Sequence, residues 1–449
     1  MVNSLTQRAP ARCEVVSDFS RLLELIPEWT RLWKSDPQAE VFQTPEWAIA
    51  WWHAFGHHHT LCTLVVFSGE EVIGIVPLVK RDGVIQFLGA PEADYADIIC
   101  ADQWAAEVLA IALETLRKSV AGWSECVWQH LSEDSRVMRH YRQLPRRLRN
   151  NFHPLGTENY QTILLTGERD AIFSSLLAKK HTRRRINKLR KAGDVQLREL
   201  SLPEVEPCFD DFFRHHVRRH AAIGKQSCYA EHDDRQFLKA LFAELGSQAR
   251  FGVLELEGQP LAWYLGFEVN GKFLLYQHTF DLDASEYTPG ESLLWFLFDN
   301  AKDRVEREFD FGKGNEPYKT RFTNHSRETY SLFIEPRGVV GRARGLARSA
   351  QAYLHPHLLD IRLAAKSHRP TLRAFRSARI WASGLLSWAQ LTKSSQPGGA
   401  VLHLKEERSK TSALAKGFSR VLASRSFSRD EESRVMAASK SHSASGSRA

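Results

Sequence analysis

Apolar and polar residues follow a similar pattern in two stretches of the chain. Leu61–Gly89 reads LCTLVVFSGEEVIGIVPLVKRDGVIQFLG, three β-rich runs separated by turns at Gly69 and at Asp82-Gly83. Phe251–His278 reads FGVLELEGQPLAWYLGFEVNGKFLLYQH, again three runs, with turns at Gly258 and at Asn270-Gly271. β-Branched and aromatic runs flanking glycine-containing turns predict hairpins. The two copies stand 189 residues apart, from Gly69 to Gly258, a domain-sized separation that predicts two similar α/β units. Helical segments surround each copy. Phe19–Lys34 and Pro45–Phe55 precede the first, the latter opened by Thr44 as N-cap and Pro45 at N1, and Gln103–Ser119 follows it. Ala171–Ala192, Pro203–Ala222 and His232–Gly246 precede the second, and Gly290–Glu306 follows it. Further strands are predicted at Glu308–Phe311 and Thr329–Ile334. This order predicts an α+β fold with a mostly antiparallel sheet, and it argues against a doubly wound nucleotide-binding fold.

The remaining sequence divides by charge. The chain has 449 residues and a formal charge of +8. Residues 337–393 carry +10 and residues 394–449 carry +5, so the body is mildly acidic at −7. The basic character therefore belongs to the tail and does not indicate a nucleic-acid-binding fold. Four segments are predicted: residues 1–155, residues 156–336, a basic amphipathic helical segment at 337–393, and a disordered Ser/Lys/Arg-rich tail at 394–449. Within 346–391, leucines and tryptophans interleave with arginines. Peripheral contact with an anionic membrane is one reading of this pattern, and packing on the body is the other. Six cysteines without a C-x-x-C pair disfavour a disulfide scaffold and a cysteine zinc site. The absence of a signal-like or spanning apolar run points to the cytoplasm, with the inner membrane as a peripheral possibility.

Four motifs carry a family resemblance. They are Phe42-Gln-Thr-Pro-Glu-Trp47 with Trp51-Trp52, Ile73-Gly-Ile-Val-Pro-Leu78 with Phe87-Leu-Gly89 and Asp94-Tyr-Ala-Asp97, Tyr287-Thr-Pro-Gly-Glu-Ser-Leu-Leu294, and Phe309-Asp-Phe-Gly-Lys-Gly-Asn-Glu-Pro-Tyr-Lys-Thr-Arg-Phe322. Together they resemble the CelD/BcsL-type acetyltransferases of bacterial polysaccharide gene clusters. Those are GNAT-superfamily enzymes related to the FemAB peptidoglycan ligases. The resemblance spans residues 42 to 322 and implies tandem GNAT-like domains, with 156–336 as the acetyltransferase domain and 1–155 shaping the acceptor groove. It implies acetyl-CoA as co-substrate and an exopolysaccharide or cell-envelope glycan precursor as acceptor of the acyl group on an amine or hydroxyl. Two alternatives follow from the same kinship and motifs: an aminoacyl-tRNA-dependent transferase of the FemAB kind, and a non-catalytic glycan-binding adaptor.

Acyl transfer needs a base for the nucleophile, polarisation of the thioester and a proton or hydrogen bond for the leaving sulfur. The candidate donor-binding positions are Gly290, Glu291, Ser292 and Leu293, where backbone N–H groups open a helix. Gly290 and Ser292 are expected to present donors there, while Glu291 opposes a pyrophosphate if it points inward. The catalytic candidates are Glu316 as base, Tyr318 as proton donor to sulfur, His278 as base and Asp310, whose side chain faces opposite to Phe309 and Phe311. Lys313, Lys319, Arg321 and Tyr276 are candidate substrate-binding groups, and Asp94, Tyr95 and Asp97 are placed to line a groove between domains or to stabilise a turn. The run Lys179–Lys191 holds eight Lys/Arg in 13 residues and reads as a solvated face or as a site for an anionic donor or glycan. No aromatics interleave it, so no specific nucleic-acid partner is expected. His216/His220 and His57-His58-His59 carry no specific metal signature, and no metal is expected. Trp47 and Trp51 share a helix face, which suits packing on the sheet or, alternatively, sugar stacking.

Overall fold

The computed structural model describes residues 11–350 apart from 315, 340 and 349. The first half contains β1 (Ala11–Val16), α1 (Phe19–Glu24), α2 (Ile26–Lys34), α3 (Pro45–Phe55), β2 (Thr60–Leu61), β3 (Thr63–Ser68), β4 (Glu71–Val76), β5 (Leu78–Arg81), β6 (Val84–Phe87), β7 (Ile99–Cys100), α4 (Ala105–Ser119) and β8 (Glu125–Ser132). Short helices α5 (Arg136–His140) and α6 (Arg146–Arg149) lead into β9 (Phe152–Leu164), inside which the predicted 155/156 boundary falls. Next come α7 (Arg169–Ala178), α8 (Lys180–Ala192), β10 (Val195–Glu199), α9 (Leu202–Ala222) and α10 (His232–Leu245). The chain continues through β11 (Ala249–Leu256), β12 (Gln259–Val269), β13 (Lys272–Phe280), α11 (Pro289–Ala301), β14 (Glu308–Asp310) and β15 (His325–Ile334). The fold is α+β, with mostly antiparallel sheets flanked by helices.

Local chemistry explains most boundaries. The Thr44 hydroxyl accepts from the Trp47 N–H at 3.1 Å and Pro45 opens α3, as the sequence predicts. The single helix predicted over 19–34 is two, meeting at Leu25. Pro27 near the start of α2 lacks the N–H that would continue the ladder. The predicted 171–192 helix also breaks, at Lys179, whose ψ is 114°. No residue there is a helix breaker. The break lets Phe173 and Leu176 of α7 and Ile186 and Leu189 of α8 reach one core from two directions.

The repeated meander is not repeated as a sheet. In the second half β11, β12 and β13 are neighbours in one eleven-stranded sheet, ordered β10-β11-β12-β13-β14-β9-β15-β8-β6-β5-β2. In the first half the chain changes sheets between β4 and β5. Pro77, lacking a donor, sits at the break. Strands β3 and β4 join β1 and β7 in a separate four-stranded sheet, whereas β5 and β6 join the large one.

What does repeat is a strand–helix–strand unit with a parallel pair. Strands β6 and β8 are parallel around α4, and β13 and β14 are parallel around α11. The halves also exchange strands: β9 follows β8 in sequence yet pairs with β14, and β15 follows β14 yet pairs with β8. The exchanged strands pair with each other along ten positions, from His325↔Thr162 to Ile334↔Phe152. One apolar core accordingly includes Trp47, Trp51 and Tyr95 from the first half and Phe213, Phe237, Trp263 and Phe267 from the second. Trp47 and Trp51 are buried in it, which removes them as sugar-stacking surfaces. No helix among the described residues is long and apolar enough to cross a membrane. The predicted tail at 394–449 and most of the 337–393 segment lie outside the described residues.

Candidate functional site

The two parallel pairs differ in what lies where their strands part. Strands β6 and β8 pair only at Val84↔Glu125 and Ile85↔Cys126. Further along β8 the chain's own 94–97 segment lies beside it: Ala96 bridges Leu131 in parallel, and its N–H donates to the His130 carbonyl at 2.9 Å. In the second half β13 and β14 pair only from Lys272↔Glu308 to Leu274↔Asp310. Beyond this point β13 runs on to Phe280. A cavity of about 360 Å³ opens between its end, the start of α11 and the loop after β14.

The cavity wall includes Gly290 and Thr288 at the helix start, Arg185 from α8, Arg219 from α9, His278 from β13 and Tyr318 from the loop. The first turn of α11 presents fewer donors than expected. The N–H groups of Glu291 and Ser292 both bond to the Thr288 carbonyl at 3.1 Å, and the Ser292 hydroxyl donates to the Tyr287 carbonyl at 3.0 Å. Ser292 and Leu293 are fully buried, so the structure removes both as donor-binding residues. The Gly290 N–H has no backbone partner among the described residues. Thr288 has a left-handed backbone, and its hydroxyl is buried with no partner among the described residues. Gly290 also permits a close approach: a Cβ there would stand 3.2 Å from the Phe280 ring.

Of the two arginines on the cavity wall, Arg219 is the one that makes no ion pair among the described residues, Glu316 acting on it only at longer range. Its guanidinium donates to the His278 carbonyl at 2.9 Å and lies 4.8 Å from the Phe280 ring centroid, and no carboxylate pairs with it among the described residues. Burial lowers its pKa. A partly buried, unpaired charge is costly unless an anion joins it. His278 and Tyr318 meet at 5.9 Å between ring centroids. Burial, reinforced by Arg219 and Lys319, pushes the His278 pKa well below the ordinary histidine value, so the ring is neutral. Burial and the Glu316 carboxylate push the Tyr318 phenol up, so it stays protonated.

Glu291 points toward the arginines. Its carboxylate pairs with Arg185 and accepts from Arg321 at 2.6 Å, so Arg321 is engaged by the protein itself. Lys319 is also turned inward. It is buried, and its ammonium reaches the Lys313 carbonyl at 2.7 Å, the Gly314 carbonyl at 3.2 Å and Glu316 at 2.9 Å. It clamps the loop in place of presenting charge to a ligand. Burial alone would raise the Glu316 pKa, but the Lys319 ammonium outweighs it and holds the carboxyl below its ordinary range.

The other predicted groups form an interior seam. Asp310 is buried: its carboxylate accepts from the Tyr95 hydroxyl at 2.7 Å and the Gly312 N–H at 2.8 Å. Burial and neighbouring Glu308 raise its pKa to about 7. It is not part of the cavity wall. Asp94 accepts from the Lys313 N–H at 3.0 Å, and burial lifts it to about 6. Asp97 accepts from the N–H groups of Arg136 and Val137 and caps α5. All three lock loops together; Tyr95 and Asp97 also line a small pocket of about 50 Å³ between the halves, with Glu40, Arg136, Lys272 and Arg327, whereas Asp94 does not. The Tyr276 hydroxyl likewise donates to the Glu92 carbonyl at 2.9 Å.

Sequence reasoning missed four groups. Arg185 lay unresolved within the basic run, and Arg219 within a His/Arg-rich helix whose inward face was not identified. His130 was invisible as a single histidine in a strand. It is buried at φ 58°, bridging the Tyr160 hydroxyl at 2.8 Å and the Lys313 ammonium at 3.0 Å. Glu92 accepts from the Trp51 indole at 2.7 Å, and burial raises it to about 7. The histidines singled out earlier divide. His216 is buried, bonded to the Ser227 hydroxyl at 2.8 Å and stacked on His220 at 4.1 Å. His57 and His58, by contrast, converge with Asp233, their ligand atoms all within 4.8 Å of one another. Among the described residues this is the group that could hold a metal ion; its two histidines are exposed and Asp233 is half-buried.

Comparison with known proteins bears on the second half. Residues 178–320 match the family model described as the acetyltransferase (GNAT) domain, a span from the end of α7 through the loop carrying Tyr318. No curated protein matches the chain. Among solved structures it is similar to a crystal structure of FemX at 10% identity, covering 71% of this chain and 96% of that one with a TM-score of 0.49. It is similar to a tandem GNAT protein from the clavulanic acid biosynthesis pathway at 11% identity, covering 74% and 100% with a TM-score of 0.42. L-PGS from Bacillus licheniformis matches at 12% identity over 62% and 86%, with a TM-score of 0.41.

Proposed function

We propose that the protein is a GNAT-type acyltransferase that moves an acetyl group from acetyl-CoA to an amine or hydroxyl. The proposed acceptor is an exopolysaccharide or cell-envelope glycan precursor, as the resemblance to CelD/BcsL-type enzymes implies. Acetyl-CoA supplies an activated thioester on a carrier bearing phosphates. The chain's own features fit such a donor: the unpaired Arg219, the free Gly290 N–H and the partnerless Thr288 hydroxyl all face one cavity at a helix start. Arg219 is the observation that carries the reading.

In this reading Arg219 and the Gly290 N–H hold phosphate oxygens, and Phe280 packs behind the helix start. His278, held neutral, accepts the proton of the attacking amine or hydroxyl. Its low basicity makes it effective only once bond formation has acidified that proton. Tyr318 keeps its own proton and donates a hydrogen bond to sulfur as negative charge builds there. Its raised pKa favours that hydrogen bond over full proton transfer.

Calorimetric titration of the full chain with acetyl-CoA tests this. Saturable binding is expected, weakened roughly 10- to 100-fold in Arg219→Ala, because a hydrogen bond to a charged group contributes about 1.5–3 kcal/mol. Absence of binding to folded wild-type protein refutes the donor and favours the aminoacyl-tRNA alternative.

A further inference from the structure

Glu291 occupies an unusual place for a carboxylate. It stands in the first turn of α11, on the wall of the cavity that holds the free Gly290 N–H. Two guanidinium groups from different elements converge on it, Arg185 of α8 and Arg321 of the loop after β14. His181 of α8 adds a ring nitrogen 3.9 Å away. Burial and the nearby Arg321 charge both lower the Arg185 pKa, so the two arginines repel each other. An anion between them relieves that repulsion. In the structure the anion is the protein's own side chain.

We propose that Glu291 is the specificity-determining residue of the donor site. It is a resident carboxylate with which the donor's phosphates must compete for Arg185 and Arg321. This inference rests on the acyl-CoA reading above. Arg219 then makes the first contact with the donor, because no carboxylate among the described residues pairs with it and Glu316 acts on it only at longer range. Engagement of the other two arginines requires a ligand carrying enough negative charge to displace Glu291. A singly charged ligand gains little by that exchange, whereas adjacent phosphates gain two charge-assisted pairs. The carboxylate thus selects donors by charge, and it keeps the arginines together when the site holds none.

The test compares acetyl-CoA binding to full-length wild type, Glu291→Gln and Glu286→Gln. Glu286 is a neutral control, since it faces Lys188 at 3.7 Å and not the two arginines. Glu291→Gln keeps the side-chain shape and removes the charge. Acetyl-CoA is expected to bind it about tenfold more tightly, with Glu286→Gln unchanged. Glu291→Asp, too short to span both arginines, should tighten acetyl-CoA in the same direction and serves if the Gln variant folds poorly. Unchanged or weaker acetyl-CoA binding in both variants, with wild type still binding, overturns the inference and leaves the acyl-CoA reading standing. Absence of binding in all proteins overturns the acyl-CoA reading itself.

Discussion

Arg327→Met probes the charge arrangement that joins the two halves. Arg327 is buried and bonds Glu308 at 2.7 Å, with Asp310 at 3.5 Å and Glu40 at 3.8 Å. Lys272 stands 2.7 Å from Glu40 and 3.9 Å from Glu308. Burial, then the neighbouring Glu308 carboxylate, raises the Asp310 pKa, and with Asp310 protonated the two cations balance Glu40 and Glu308. Replacing Arg327 by an apolar side chain of similar length leaves one cation facing two carboxylates, buried Glu308 and half-buried Glu40. Breaking a buried pair in this way costs about 3–5 kcal/mol. The pH dependence has a definite sign. In wild type the Glu308 pKa is depressed because Arg327 and Lys272 outweigh burial, so its stabilisation is present above the unfolded value and lost as pH falls. In the variant burial dominates and raises that pKa. The folded state then holds a proton that the unfolded chain releases, and the deficit grows as pH rises from about 4 through neutrality. Urea unfolding of wild type, Arg327→Met and the double variant with Glu308→Gln, at pH 5 and pH 7.5, measures this. The double variant should recover part of the loss at pH 7.5. A deficit below about 1 kcal/mol, or one equal at both pH values, would refute the reasoning, since exposed pairs behave that way.

Three further outcomes are expected. Tyr318→Phe should lower kcat roughly 10²-fold with KM for the donor nearly unchanged, and a change confined to KM would assign the phenol to binding. His278→Gln should lower kcat at every pH between 6 and 8 without moving a titration limb, because the wild-type ring is already neutral there. A limb near 6.5 that vanishes in the variant would contradict its buried environment. Gly312→Ala should reduce the urea midpoint by an amount corresponding to about 1–3 kcal/mol, since φ is 64° and a Cβ would meet the Asp94 carboxylate at 2.5 Å. An unchanged midpoint would show that the Asp94–Lys313 contact is not held at that spacing.

Part of the site was legible because its signals are local. The Thr44 cap, the Pro-Gly-Glu-Ser helix start and the alternation that turns Asp310 away from Phe309 and Phe311 all follow from neighbours in sequence. The assignments that failed depended on partners far away. Ser292 and Leu293 belong to the core because α11 packs on β12 and β13. Lys319 and Arg321 face different ways although two residues apart, the first toward loop carbonyls and the second toward Glu291. Asp94 stays outside the small pocket between the halves that Tyr95 and Asp97 do line, and all three are tied up by distant groups. Their partners, Lys313, Asp310 and Arg136, are 39 or more positions away.

The amino-acid sequence by itself determined the α+β class, the strand–turn–strand runs, most helix limits and the position of the Gly-rich motif after β14. Periodicity, caps and turn residues act over a few positions, and those interactions survive in any tertiary context. Only the tertiary structure decided that β9 and β15 trade places between the halves, and that the chain's own 94–97 segment runs beside β8 while the cleft between β13 and β14 stays open. It also decided that Arg219 makes no ion pair among the described residues while Arg185 does. Strand pairing and charge pairing are contests among distant groups for the same partners, and their outcome is fixed by which surfaces the shared core brings within a few ångströms.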